Sequence, residues 1–275
     1  MTGRINAAGV FDCEDVLVSE RDGVVHVTLN RPEQRNALSD SVVVALEEVI
    51  AYVMTDPTRV RALVLRGAGG VFCAGGDLKG FKSAFQDGAA DHGLVAAANR
   101  RGGALFTALD QLPTVVVAAV ERAAIGGGVG LAAVADVTLA TAGTTFSMTE
   151  TTLGVPPAQI SPFVVARVGA HHARRLMLTA ARIDAAEAFR IGLVDEVVAD
   201  SAALDVAIDN VLRRVHRCAP VANAVSKALV HAAATTPLPE LLDTAAARFA
   251  DAMLGAEARA GIAAFTSKST PPWAK

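Results

Sequence analysis

The stretch from residue 114 to 131 is the first place where residue types and spacing could do chemistry. A Val-rich run of strand length passes the charged pair Glu121-Arg122 and reaches Gly126, Gly127 and Gly128 ahead of a helical pattern. A buried strand feeding a glycine turn and then a helix start lets a ligand atom come close to main-chain N–H groups. The helix N-terminus adds partial positive charge there. Spacing excludes the phosphate-binding readings: G-x-G-x-x-G would need glycine at position 131, which is Leu131, and no Gly-Lys-Ser/Thr follows. The turn therefore receives some other anion or polarised oxygen, or its glycines serve only to pack a helix closely on a sheet.

A second turn of this kind, Val-Phe-Cys-Ala-Gly-Gly-Asp-Leu over residues 71–78, follows the apolar strand 60–65. Open α/β sheets gather ligands outside the carboxyl ends of their strands, so two such turns point to one site. The elements that must position them are legible along the chain. Asp22-Gly23 between apolar runs at 14–20 and 23–30 predicts a hairpin. Ser39 reads as the N-cap of a helix carried by Val42, Leu46, Val49, Ile50 and Val53 and stopped at Asp56-Pro57. Residues 79–103 are glycine-rich and loosely patterned, either a helical flap over a pocket or a solvated connector, and a helix is expected from Ala104 to Gln111. Strand, glycine turn, helix and a further strand near 137–140 then repeat the earlier unit.

Past Phe146 the chain turns helical. Ser147-x-x-Glu150 has the form of a capping box, and Pro156-Pro157 opens a segment to Gly169. Helices are expected at 172–180, 184–190, 201–217, 221–234, 239–254 and 257–268. The reading is a core domain over 1–200 and a helical region over 201–275.

Composition narrows the function classes. With 275 residues, 52% hydrophobic and 19% charged, the chain can bury a large core. A net charge of −3 and 4% aromatics offer little to nucleic acid. No apolar stretch reaches the roughly 20 residues of a spanning helix, so no membrane role is expected, and a cytoplasmic location is. Cys13, Cys73 and Cys218 have no C-x-x-C spacing and read as free thiols, and the six histidines, the adjacent His171-His172 among them, show no ligand spacing, so no metal is expected. A G-x-S-x-G elbow is absent from the sequence.

Taken together, Asn30-Arg31-Pro32 with Asn36-Ala37-Leu38, Ala74-Gly75-Gly76-Asp77-Leu78, Gly126-Gly127-Gly128 with Asp136, 146–154, Arg182-Ile183 with 186–198, and 261–273 resemble the crotonases, the enoyl-CoA hydratase/isomerase family. The resemblance implies an α/β fold, a β-β-α superhelix with a helical C-terminal trimerisation region, assembled as a homotrimer or dimer of trimers. It implies an acyl-CoA thioester as substrate, with no cofactor beyond the coenzyme A that the thioester carries. By the family pattern, the N–H groups of Gly76 and Gly127 would hold the thioester oxygen. Ala37, Leu38, Ala74 and the adjoining Gly75, Asp77, Leu78 and Gly128 would line the CoA and acyl path. Phe265 and Lys268 would approach the nucleotide, from a neighbouring subunit or their own, unless they are only a packed aromatic and a solvated lysine.

Two departures from the family pattern bear on mechanism. Its best-known hydratases carry two glutamates: here the first position is Gly130, and the second is Glu150, with Thr149 where proline is usual. Glu150 is therefore expected as the single acid/base group. After Leu153-Gly154 the chain reads Val-Pro-Pro-Ala-Gln-Ile-Ser-Pro-Phe, which resembles the bacterial branch acting on methylglutaconyl-CoA or isohexenylglutaconyl-CoA, and Gln159 and Ser161 could help seat a water. A distal carboxylate would need a cation, for which Lys82, Arg100 and Arg122 are candidates. Arg122 stands where the family usually has glycine. Hydration of a 2-enoyl-CoA is the expected activity. A Δ3,Δ2-enoyl-CoA isomerase and a catalytically silent acyl-CoA binding or assembly protein are the alternatives.

Overall fold

Alternation along two strands sets the architecture of this computed structural model, which describes residues 13–82 and 91–274. In β3 (Ala62–Gly67) and β4 (Val115–Val120), Leu63, Leu65, Val116 and Ala118 are buried on one face of the sheet and Ala62, Val64, Val117 and Ala119 on the other. Successive side chains of a strand point to opposite faces, so a strand apolar at every position needs cover on both. The cover comes from α1 (Asp40–Thr55) and α3 (His92–Asp110) on the first face and from α7 (Ser201–His216) on the second.

The main sheet has six strands in the order β1 (Val16–Arg21), β2 (Val24–Leu29), β3, β4, β6 (Val137–Thr141), β9 (Glu196–Val198). The β1–β2 hairpin turns at Asp22-Gly23 as expected and is antiparallel, while the other neighbours run parallel. A second sheet of three strands, β5 (Ala123–Ile125), β7 (Thr145–Ser147) and β8 (Arg182–Asp184), crosses beyond it. Cys73 bridges Ala124 in parallel, and β5 pairs with β7, so the segments leaving β3, β4 and β6 stack side by side as successive turns of one superhelix.

The remaining helices are α2 (Leu78–Phe81), α4 (Gly127–Val134), α5 (Ser161–Thr179), α6 (Ala185–Arg190), α8 (Pro220–Ala232), α9 (Leu238–Leu254) and α10 (Ala256–Thr266). Ser39 caps α1 through Val42 N–H, and Asp56 ends it. The helix expected from Ala104 begins instead at His92, where Asp91 caps Leu94 N–H at 2.8 Å. The looser half of that segment is thus one helix with the rest, and residues 83–90 of the expected flap lie outside the described residues. α5 begins at Ser161 and breaks at Gly169 (φ 75°), which separates the two helices expected there, and His171 and His172 follow the break edge to face. No helix among the described residues is long and apolar enough to cross a membrane.

Beyond residue 200, α7 gives Leu204, Ala207, Ile208, Leu212 and Val215 to the core. The helices α8 to α10 stand apart from it and bury only Ala264. They are anchored at the N-terminal ends of the parallel strands. Lys227 reaches Asp136 at 2.7 Å, and Asp136 also accepts from Val116 N–H, while the Arg61 guanidinium donates to the Trp273 and Val215 carbonyls at 3.0 and 3.1 Å.

The loop that faces the opposite, C-terminal ends is held by one buried side chain. Asn36 is fully buried with φ 56°; its Nδ2 donates to the Ala68 and Val71 carbonyls and its Oδ1 accepts from Arg31 N–H. An apolar replacement leaves those backbone groups unpaired. Asn36→Ala is therefore expected to cost about 3 kcal/mol of stability in urea unfolding.

Candidate active site

The loop held by Asn36 is sewn onto the first glycine turn. Leu38 N–H donates to Gly75 O at 2.7 Å, Asp77 N–H to Leu38 O at 3.2 Å and Ala74 N–H to Arg35 O at 2.9 Å. Asp77 caps α2 through Gly80 N–H at 3.1 Å and accepts both terminal nitrogens of Arg31 at 3.2 Å. The Gly80 hydrogen bond, with the Arg31 guanidinium behind it, holds the Asp77 carboxyl below the usual range. Asp77 is thereby a structural strut. Since the N–H groups of Leu38 and Ala74 are engaged internally, any contact those residues make with a ligand falls to their carbonyls or side chains.

The parallel bridge at Leu38 and Gly76 uses the Gly75 carbonyl and the Asp77 N–H and passes over the Gly76 N–H. The Gly127 N–H is the first of α4 and lies outside its hydrogen-bond ladder. Neither N–H has an acceptor among the described residues. The two turns touch: a Cβ built on Gly75 would lie 3.4 Å from Gly127 N, and one built on Gly127 would lie 3.7 Å from Gly75 Cα. Gly128 meets the Cys73 carbonyl too closely for any side chain. Two unengaged donors on adjoining turns, one of them at a helix N-terminus, suit a developing oxyanion.

Glu150 stands beside them. Gly126, at φ 52°, brings the chain so close that a Cβ there would fall 2.8 Å from Glu150 Oε1. Only glycine permits that approach. Glu150 Oε2 is buried with no hydrogen-bond partner among the described residues. Burial raises the Glu150 carboxyl above the usual glutamate value, outweighing the pull of a backbone N–H. The expected capping box does not form, because Ser147 lies in β7 and gives its hydroxyl to the Ala180 carbonyl. Glu150 opens a short 3-10 turn whose N-cap, Thr149, makes no side-chain bond.

The space by Gly130 is full. A Cβ there would lie 2.4 Å from Ile160 Cγ2 and 3.0 Å from Phe106 Cε1, so no second carboxylate can be accommodated and the wall is apolar. Ile160 and Phe106 were not legible as site residues; the signal was the missing side chain at Gly130. Phe81 lies over Gly76, and Leu38 Cδ1 reaches within 3.0 Å of a Cβ built on Gly127. Gln159 donates to Asn99 of α3 at 2.9 Å, and Ser161 gives its hydroxyl to the Pro157 carbonyl, which leaves the second amide N–H and the carbonyl of Gln159 for other partners. Burial pushes the Cys73 thiol up to about 12, which keeps it protonated and unfit as a nucleophile.

Among the cations, Arg100 Nη1 comes within 3.2 Å of the point where a Gly103 Cβ would stand, beside Gln159. Arg122 is exposed and lays its stem against Gly70; its φ of 54° accounts for glycine being usual at that position. Phe265 is 88% exposed. The α8–α10 region is anchored through Lys227 and Trp273 at the N-terminal ends of the parallel strands, the ends opposite the glycine turns.

Comparison with known proteins identifies the family and the fold. The sequence model of the Enoyl-CoA hydratase/isomerase family matches residues 19–275. The fold superposes on Pseudomonas aeruginosa AtuE with a TM-score of 0.92 at 48% identity, over 95% of this chain and 100% of that one. An enoyl-CoA hydratase/isomerase from Marinobacter aquaeolei gives 0.92 at 41% identity, over 96% and 100%. The 1,2-epoxyphenylacetyl-CoA isomerase of Escherichia coli is 31% identical over 94% of this chain and 97% of its own length. The chain belongs to the enoyl-CoA hydratase/isomerase family, and its fold is the crotonase fold.

Restoring a glutamate at the occupied position tests the geometry. Gly130→Glu must displace Ile160 and Phe106 and bury a charge, so it is expected to lose about 3 kcal/mol in urea unfolding and to gain no turnover.

Proposed function

We propose that the protein adds water reversibly across the double bond of a 2-enoyl-CoA, with Glu150 as the one acid/base group and the N–H groups of Gly76 and Gly127 as the oxyanion donors. The observation that carries this reading is the buried, unpartnered Glu150 Oε2 beside the turn that presents Gly127 N–H. As the water oxygen bonds to C3, Glu150 takes its proton and the π electrons move onto the thioester oxygen, where two N–H groups meet the charge. The same carboxyl then returns a proton to C2, which leaves Glu150 ionised again. A base whose pKa is raised toward working pH suits both transfers.

The apolar plug at Gly130 favours a second reading, a Δ3,Δ2-enoyl-CoA isomerase, in which Glu150 moves a proton from C2 to C4 and no water is needed. Supplying 2-enoyl and 3-enoyl thioesters separately divides the two by product. A branched or glutaconyl-type acyl group is the substrate we favour for the hydratase, with the Arg100 guanidinium facing its distal carboxylate. Arg100→Gln is then selective against carboxylated substrates.

Glu150→Gln is expected to lower kcat by ~10²–10⁴-fold. In the parent protein kcat/KM should rise with pH along an acid limb above the ordinary glutamate value of about 4.3, and that limb should vanish in the variant. The folded chain holds this proton more tightly than the unfolded chain. Stability should therefore fall as pH rises from the unfolded to the folded value, and Glu150→Gln should melt at a higher temperature than the parent at neutral pH. Unchanged turnover in Glu150→Gln overturns the assignment.

The assembly we propose is a homotrimer or a dimer of trimers. Leu242, Phe249 and Met253 are exposed at positions seven and four residues apart on α9, an apolar stripe of the kind a second copy covers. A neighbouring copy would also bring Phe265 and Lys268 to the CoA. Phe249→Lys should lower the mass seen in sedimentation and raise KM for the CoA thioester.

A further inference from the structure

Asn99, Gly103 and Phe106 lie on one face of α3, at positions i, i+4 and i+7. Phe106 ends 3.8 Å from a Cβ built on Gly127 and 3.0 Å from one built on Gly130, so this face is the one turned toward the reacting centre. One turn nearer the start of α3, buried Gly103 leaves a notch that Gln159 fills. A Cβ there would fall 1.9 Å from Gln159 Oε1 and 2.8 Å from its Cδ. The Gln159 amide is then fixed by its 2.9 Å hydrogen bond to Asn99 Oδ1. Gln159 directly precedes Ile160, which fills the space by Gly130. From the oxyanion donors outward, the wall thus runs through Phe106 and Ile160 to Gln159 seated in Gly103, where the helix and the 155–160 segment close on each other. At about 1.5 Å rise per residue, the notch begins about 4.5 Å along α3 from Phe106 and the Asn99 contact ends about 10 Å from it.

We propose that Gln159, seated in the Gly103 notch and tied to Asn99, is the end wall of the acyl pocket and sets where the acyl group must stop. This rests on the enoyl-thioester reading and adds a specificity-determining residue to it. The amide differs from an apolar plug in being held by a directional bond to the opposite element, so the wall joins two elements as well as filling space. Removing the side chain opens the pocket toward solvent between α3 and the 155–160 segment.

The test uses the full-length protein and saturated acyl-CoAs of four to twelve carbons, titrated by calorimetry. In the parent, affinity should rise with each methylene up to a break and then flatten or fall. In Gln159→Ala the break should move to longer chains, raising the ten-carbon to four-carbon affinity ratio about tenfold, as two newly buried methylenes would. Gln159→Met, which refills the notch without the amide, should keep the parent break. A profile in Gln159→Ala that is unchanged, or that shifts equally at every length, overturns the proposal. Saturated thioesters need no turnover: a loss of the Glu150 chemistry leaves the length profile readable, and normal turnover with an unmoved break overturns the end wall alone.

Discussion

The contact of two backbone turns is the constraint on which the rest depends. Gly75 and Gly127 meet at van der Waals distance because the segment after β3 bridges Leu38 on one side and Ala124 on the other. Those bridges occupy the Gly75 carbonyl and the Asp77 N–H and leave the Gly76 N–H unengaged, while the start of α4 leaves the Gly127 N–H unengaged. A pair of unengaged donors thus arises from the ordinary accounting of backbone hydrogen bonds at the end of a strand and the start of a helix. Donors fixed in advance would meet a developing oxyanion with little reorganisation, and one such donor is worth roughly 3–4 kcal/mol in comparable sites.

Glu150 carries the opposing electrostatics. The N-terminus of α4 lies one residue from the carboxylate's contact with Gly126, and its partial positive charge would favour the anion. Burial without a partner favours the neutral acid, and burial is the larger effect. The balance holds the Glu150 carboxyl above the ordinary glutamate range. Asp77 shows the contrast nearby: a capping N–H and the Arg31 guanidinium favour its ionised form, and it fastens the loop.

Local signals were legible in the sequence and non-local ones were not. Asp22-Gly23, Ser39 and Asp56 each act within a few residues, and hairpin, cap and stop fell where the chain indicated. The start of α3 was missed because Gly93, Gly102 and Gly103 weaken its periodicity, although Asp91 was a legible cap. Ser147 and Glu150 had the right spacing for a capping box, but β7 took Ser147 into the second sheet, and tertiary pairing overrode the local motif. The glycine turns announced a site, and the family pattern attached Gly76, Gly127 and Glu150 to it. The residues that fill the space around them come from distant segments and leave no local trace.

Their trace is instead an absence. Gly130 and Gly103 carry no positive φ, so backbone conformation does not demand glycine at either place. What fills the place of a side chain is the neighbour: Ile160 occupies the volume at one and the movable end of Gln159 at the other. Both neighbours belong to the 155–160 segment. The glycine at 130 and the 155–160 segment are thus structurally linked, since a glutamate at 130 would clash with Ile160. The volume beside Gly130 is an apolar floor, and with Asp77 tied to Arg31 and Gly80 N–H, Glu150 is the carboxylate by the two turns that keeps an oxygen unpartnered among the described residues.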